Sequence, residues 1–274
     1  MSTTTTLGGP GSRRAWTHPA PGVAVTHSRL DHTASIVLSR ETVDGPLALV
    51  VDPAWTPAEL HDLAHDVHAS GLTVVAGFAT HAHYDHVLWH PGLGQVPRWA
   101  SAVTVELASV HAEDNRAALR ASSPGWEEEL LALAGALVPL PGPQTHERWA
   151  GPGLQGWGEV ITHDAHSPGH SALWLPGRRV LIAGDMLSDV EIPMLSETGA
   201  RAYGRGLAAL RPYAQEARVL IPGHGTPAQE AADRWEADQR YLDDLLAGRT
   251  PADDRMKNPV NQRHHADNLA ALER

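Results

Sequence analysis

The chain has 274 residues, of which 42% are hydrophobic, enough for a sizeable core in one large domain or two small ones. It contains no cysteine, which excludes disulfides, thiolate metal sites and a cysteine nucleophile, so any zinc, iron or manganese must be held by imidazole and carboxylate. A formal net charge of −11 opposes phosphate-backbone binding, and no apolar run reaches the ~20 residues of a membrane-spanning helix, so neither nucleic acid nor a membrane is expected as a partner.

Residues 1–16 are rich in Thr, Gly and Ser and lack the apolar core of a signal peptide. They read as a disordered tail on a cytoplasmic protein. The main domain is expected over 17–248. Val23–Thr26, Ser35–Leu38 and Leu47–Val51 are short, β-branched runs separated by turn residues and predict three strands, the last ended by Asp52-Pro53. Thr56-Pro57-Ala58-Glu59 then opens a helix with an N-cap Thr, Pro at the first position and Glu at the third. Leu60, Leu63, Ala64 and Val67 form its buried stripe, and Gly71 is placed to end it.

Thr73–Ala79 is too short for a helix and predicts a buried strand. Helices are expected over 104–120 and 125–137, the second opened by Pro124 and Glu127–Glu129. Val160–Thr162, Ala172–Leu175 and Val180–Ala183 read as strands, 202–216 as a helix, and Val219–Ile221 as a last strand. Thr226-Pro227-Ala228-Gln229 repeats the capping pattern and predicts a helix to about Leu246. Residues 249–274 read as a polar tail with partial helical character. No internal repeat is present, and the pattern implies sheet packed on sheet with helices outside.

Most of the 18 histidines must be bland. Thr80-His81-Ala82-His83-Tyr84-Asp85-His86 is different, since it places four ligand-type side chains within six positions, on a loop after a buried strand. Such a mix of imidazole and carboxylate suits borderline divalent ions. Three further loops border strands: Ser167-Pro168-Gly169-His170, Gly184-Asp185, and Pro222-Gly223-His224-Gly225. Small residues beside each ligand let the backbone approach a metal closely.

The order His-x-His-x-Asp-His, Pro-Gly-His, Gly-Asp, Pro-Gly-His-Gly resembles the metallo-β-lactamase-fold hydrolase superfamily, which includes glyoxalase II-like and β-lactamase-like enzymes. The resemblance implies an α+β, four-layer αββα sandwich. It implies that His81, His83 and His170 bind one metal, that Asp85, His86 and His224 bind a second, and that Asp185 bridges them. The cofactor implied is two Zn2+, with Fe or Mn as substitutes. Catalysis would then rest on a bridging hydroxide, oriented by Asp85, that opens a small activated acyl substrate such as a thioester, lactone or β-lactam. Two rivals stand beside this: a mononuclear iron sulfur-oxygenase of the same fold, keeping His81, His170 and Asp185, and a non-catalytic metal-binding protein. The chain departs from the family in lacking the Gly usually found soon after the third His ligand, where Ser171-Ala172-Leu173 stands instead.

Other residues are read more blandly. His61, His65 and His68 recur at helical spacing beside an apolar stripe and are expected to face solvent, and His264-His265 lies in the polar tail. His163 and His166 flank the third ligand loop, His166 read as a partner to a ligand or to backbone rather than as a ligand. Trp89, His90 and Met194 are expected to border the substrate pocket. Asp189 and Glu191 either steer substrate or face water. The stretch between His86 and His170, with Trp126, Trp149 and Trp157, is expected to roof the pocket and to favour a small organic substrate.

Overall fold

The computed structural model describes residues 7–141 and 154–272. The stretch expected as one domain falls into two compact units, one holding residues 7–141 and 154–157, the other residues 158–272.

The first unit is built on a seven-stranded sheet in which β1 (Thr17–Ala20), β2 (Val23–His27), β3 (Ala34–Arg40), β4 (Leu47–Val51), β5 (Thr73–Phe78), β6 (Arg98–Ala100) and β7 (Val138–Pro139) lie in chain order. The first four pair antiparallel and the rest parallel. The switch at β4–β5 requires a crossover, supplied by α1 (Pro57–Ala69). The capping box at its start is complete: Thr56 accepts from the Glu59 N–H and Glu59 from the Thr56 N–H. Leu60, Leu63, Ala64 and Val67 are buried as the periodicity predicts, each large side chain contributing about 1.5–3 kcal/mol.

Residues 7–16 hold to this helix rather than fraying. Asp66 accepts hydrogen bonds from the Ser12 hydroxyl, the Arg13 and Arg14 N–H groups and the Trp16 indole N–H, and Leu7 is buried. Three polar groups and one aromatic converging on a buried carboxylate outweigh the low hydrophobicity of the segment. Residues 1–6 lie outside the described residues.

The single helix expected over 104–120 is two, α2 (Ala102–Val110) and α3 (Ala112–Ser122), parted at His111. The one expected over 125–137 shrinks to α4 (Glu128–Leu133), because Gly125 and Gly135 take left-handed φ values of 90° and 72°.

The second unit carries a four-stranded sheet of order β11-β10-β9-β8, from β8 (Glu159–Thr162), β9 (Ser171–Leu175), β10 (Val180–Gly184) and β11 (Val219–Pro222). The crossover between parallel β10 and β11 is α5 (Gly199–Glu216), whose Leu207 and Leu210 pack in one cluster with Trp174, Leu181 and Leu220. α6 (Ala231–Leu246) starts later than expected. The Thr226 N–H and hydroxyl both donate to Asp189, and Ala228 pairs with Leu220 as an isolated bridge, so the cap-like residues serve the turn instead. The polar tail contains a further helix, α7 (Pro259–Leu272).

Candidate metal centre

The His81–His86 loop leaves the end of β5 beside the end of β4, where Asp52 sits, 1% exposed and with a φ of 46°. Asp52 Oδ1 accepts the Thr80 N–H at 2.9 Å. Its Oδ2 accepts the Thr80 hydroxyl at 2.6 Å and lies 3.0 Å from His86 Nδ1. A carboxylate has no proton to give, so His86 carries its proton on Nδ1 and presents Nε2 as an acceptor. The same accounting fixes His81. Thr80 has one hydroxyl proton, which goes to Asp52, so in the 3.0 Å contact between Thr80 Oγ1 and His81 Nδ1 the imidazole is the donor. His81 too presents Nε2. Nothing in the sequence singles out Asp52, which looks like a strand end before Pro53; its role appears only when β4 and β5 are known to be parallel neighbours.

His81 and His86 are fully buried, with rings 4.2 Å apart, and His83 stands edge-on to His81 at 4.5 Å. Asp85 Oδ2 accepts the Thr33 hydroxyl at 3.2 Å and lies 3.3 Å from His86 Nε2. With Nδ1 as the donor, that approach sets acceptor against acceptor, a contact that calls for a proton or a cation between them. α3 secures the loop, as Asn115 donates to the Ala82 carbonyl at 3.2 Å.

In the second unit, β10 and β11 run parallel with Gly184 opposite Pro222, which sets Asp185 and His224 side by side just beyond the sheet. His224 Nε2 lies 3.3 Å from Asp185 Oδ2, and His166 Nε2 lies 3.4 Å from the same oxygen. His170 faces elsewhere: its Nε2 accepts the Asp185 backbone N–H at 3.1 Å, and its ring stacks on His163 at 4.9 Å. Among the described residues, His81, His83, Asp85, His86, His166, Asp185 and His224 belong to groups of side chains that could hold a metal ion, and His170 belongs to none. The structure therefore brings His166 to the carboxylate, in the place expected for His170. A left-handed backbone at His166 and Gly169, φ 66° and 73°, folds the intervening loop so that the first histidine and not the second faces the Asp185 side chain.

A family profile described as the metallo-beta-lactamase superfamily matches residues 43–247. The chain belongs to the metallo-beta-lactamase superfamily. Solved structures of similar fold include a beta-lactamase domain protein from Burkholderia ambifaria, 21% identical with a TM-score of 0.64, covering 94% of this chain and 87% of that one. The metallo-beta-lactamase FIM-1 from Pseudomonas aeruginosa, in its mono-zinc form, is 17% identical with a TM-score of 0.61, covering 84% of this chain and 95% of that one. A metallo-beta-lactamase from Erythrobacter litoralis is 18% identical with a TM-score of 0.55, covering 82% and 95%. No curated protein matches the sequence. The expected fold class is that of the metallo-beta-lactamases, and the described residues form two sheets and seven α-helices. This superfamily consists mostly of metallo-hydrolases, and its members bind metals, often zinc.

Within this superfamily member, several side chains expected around the pocket are committed elsewhere. Trp89 is 3% exposed, donates to the Gly94 carbonyl at 3.0 Å and packs with Leu63, Ala64 and Leu93. His90 accepts the Gly92 N–H at 3.0 Å and caps a short turn. Trp126 and Trp157 are packing residues, the first against the Leu119 and Leu131 cluster and the second under Arg40, whose guanidinium lies 4.7 Å from its ring. Trp149 lies outside the described residues. Met194 is half-buried on the segment after Asp185.

Asp189 neither steers nor floats: it holds Thr226 and pairs with Arg234 at 3.3 Å. Glu191 lies closer to the centre, its Oε1 4.0 Å from His224 Nδ1, and belongs with Asp185 and His224 to a group that could hold a metal. Of the histidines read as bland, His65 pairs with Asp66 at 3.2 Å and His265 with the Tyr241 hydroxyl at 2.8 Å. No helix of the described residues is long and apolar enough to cross a membrane.

Proposed function

We propose that this protein is a binuclear metal-dependent hydrolase acting on a small activated acyl compound. The observation that carries the reading is the convergence of two buried imidazoles, His166 and His224, on one oxygen of Asp185. One carboxylate serving two nitrogen ligands is the donor pattern of a carboxylate bridging two ions. The first ion is assigned to His81, His83 and His166, the second to Asp85, His86 and His224, with Asp185 shared. Placing His166 rather than His170 in the first set also restores, as Gly169, the glycine the family carries soon after its third histidine. Divalent ions bound by these residues would supply a water-derived nucleophile at neutral pH and would polarise the carbonyl under attack.

The protein's own groups do the rest. Asp52 holds His86 in one tautomer directly and His81 through the Thr80 hydroxyl, so both rings turn Nε2 to the centre with no rotational freedom to lose. Thr33 anchors one oxygen of Asp85. The carboxylate is thereby placed to orient the attacking water and to receive its proton, a contribution worth roughly 10²–10⁴-fold in rate. His170, tied to the Asp185 N–H, fixes the backbone on which the bridging carboxylate turns. The acyl preference rests on family membership and on the net charge of −11, which disfavours polyanionic substrates.

Elemental analysis of protein purified without added metal is expected to find two zinc-like ions per chain. Hydrolysis of a chromogenic cephalosporin, an acyl thioester or an aliphatic lactone is expected, and should be abolished by chelator. Turnover confined to bis-nitrophenyl phosphate would overturn the acyl reading. One iron per chain with oxygen-dependent persulfide turnover would replace it with the sulfur-oxygenase.

A further inference from the structure

The segment that follows Asp185 has almost no regular structure between β10 and α5, yet its backbone is held group by group. The holders come from far along the chain. The Leu187 N–H donates to Asp238 at 3.0 Å. Arg255 Nη1 donates to the Ser188 carbonyl at 3.0 Å and to the Glu191 carbonyl at 2.8 Å. Asn261 Nδ2 donates to the Val190 carbonyl at 2.7 Å. Asn268 donates to the Pro193 carbonyl at 2.6 Å and accepts the Leu195 N–H at 2.8 Å. Arg255, Asn261 and Asn268 all lie in the segment that the sequence presents as a polar tail.

Arg255 is central to this arrangement. Its side chain is 8% exposed, and it is paired with Asp238 at 2.6 Å, itself 1% exposed, and with Asp253 at 2.7 Å. Asp238 also accepts the Tyr203 hydroxyl. A buried ion pair is poor value as a stabiliser, since apolar residues of similar volume hold helices together as well without the desolvation penalty. What an apolar pair cannot do is hold two loop carbonyls through one guanidinium nitrogen, Nη1, while Nε and Nη2 stay on Asp253 and the partner Asp238 accepts a loop N–H.

The frame continues to the metal ligands. Ser188, whose carbonyl Arg255 holds, donates its hydroxyl to the His224 carbonyl at 2.7 Å. The same Ser188 oxygen accepts the Val190 and Glu191 N–H groups, both at 3.0 Å. Arg255 therefore reaches the backbone of His224 through one residue, Ser188, and that of Asp185 through the two residues, Met186 and Leu187, that separate it from Ser188.

We propose that Arg255, set by Asp238, is a positioning residue for the metal centre: it fixes the 187–191 loop so that Asp185 and His224 are held at ligand distance from one another. This inference rests on the reading of Asp185 and His224 as metal ligands. Removing such a support weakens metal binding by roughly 10–100-fold without removing a ligand.

The test uses the full-length protein, with cobalt(II) and zinc(II) as probes. Stoichiometry and affinity are read by competition with a chromophoric chelator, geometry by the visible absorption of the cobalt form, and folding by far-ultraviolet circular dichroism. Arg255→Met is expected to bind one ion about as wild type does and the other roughly 10–100-fold more weakly, with an altered cobalt spectrum. Arg255→Lys, keeping the charge but not the fork, is expected to fall between. A general loss of stability would not shift one ion alone or change the cobalt spectrum. Two ions bound by Arg255→Met with wild-type affinity and spectrum would overturn the proposal. Should that variant not fold, Asn261→Ala, which cuts the ties of Asn261 to the Val190 and Arg255 carbonyls and leaves the guanidinium in place, decides in the same way: a weaker ion supports the proposal, and unchanged affinity and spectrum overturn it. A wild-type protein that binds fewer than two ions would instead overturn the binuclear reading, which separates the two failures.

Discussion

His166 and His170 sit four residues apart in one loop, and both are buried. One aims Nε2 at the Asp185 carboxylate and the other aims Nε2 at the Asp185 N–H. The distinction is chemical as well as geometric: a nitrogen that accepts a backbone proton has its lone pair engaged, whereas Nε2 of His166 stands 3.4 Å from a carboxylate oxygen with which it could share a cation. Variants separate the roles. His166→Ala is expected to lose one of the two ions, while His170→Ala retains both and loses packing against His163. Asp52→Ala is expected to keep the full ligand set yet bind metal roughly 10–100-fold more weakly, because His81 and His86 are no longer held in one tautomer. Metal titration of the three proteins checks this, and full metal retention by His166→Ala would return the assignment to His170.

At the scale of elements, the contrast between two capping patterns is instructive. Thr56-Pro57-Ala58-Glu59 makes the helix start it predicts, because its partners lie within the pattern itself. Thr226-Pro227-Ala228-Gln229 does not, because Asp189, 37 residues away, captures Thr226 first. α1 carries a second device in Asp66, a carboxyl 1% exposed in its side chain. Burial alone would push it up, but Ser12, Arg13, Trp16 and His65 outweigh that and bring it down to about 2. A carboxylate held below its unfolded value of about 4 stabilises the fold at higher pH, and that stability drains away as pH falls from about 4 towards 2. The shift corresponds to about 2 kcal/mol. Asp66→Asn is therefore expected to lose about that much at pH 7, with the deficit shrinking below pH 4. Urea midpoints of both proteins between pH 7 and pH 3 measure it, and a deficit independent of pH would count against the clasp.

For the whole molecule, metal and stability are linked. An ion that binds only the folded chain adds about 4 kcal/mol when present at 1,000 times its Kd. Chelation is accordingly expected to lower Tm by several degrees, and re-addition of zinc to restore it. A Tm indifferent to chelator would mean that the centre holds no ion tightly enough to matter. The chain's acidity works at the same scale: RNA and DNA are expected to be neither bound nor cleaved, which a gel-shift assay at low salt tests under the conditions most favourable to binding.

What the sequence determined by itself is what local chemistry can encode. β-branched runs gave strands at 23–27, 34–40 and 47–51, an amphipathic stripe with its cap gave α1, and the ordered Pro-Gly-His and Gly-Asp loops gave the family. These signals depend on neighbours within a few positions, so they survive without knowledge of the fold. The tertiary structure decided the rest. It turned His166 rather than His170 towards the Asp185 carboxylate, recruited Asp52 by pairing β4 with β5, and drew Trp89 and Trp157 into the first unit with Trp126 packed half-buried against it. It also turned the polar residues 249–272 into a frame for the loop after Asp185. In each case the deciding partner lies tens of residues away, and a polar side chain has no preferred destination until folding brings that partner within hydrogen-bond reach.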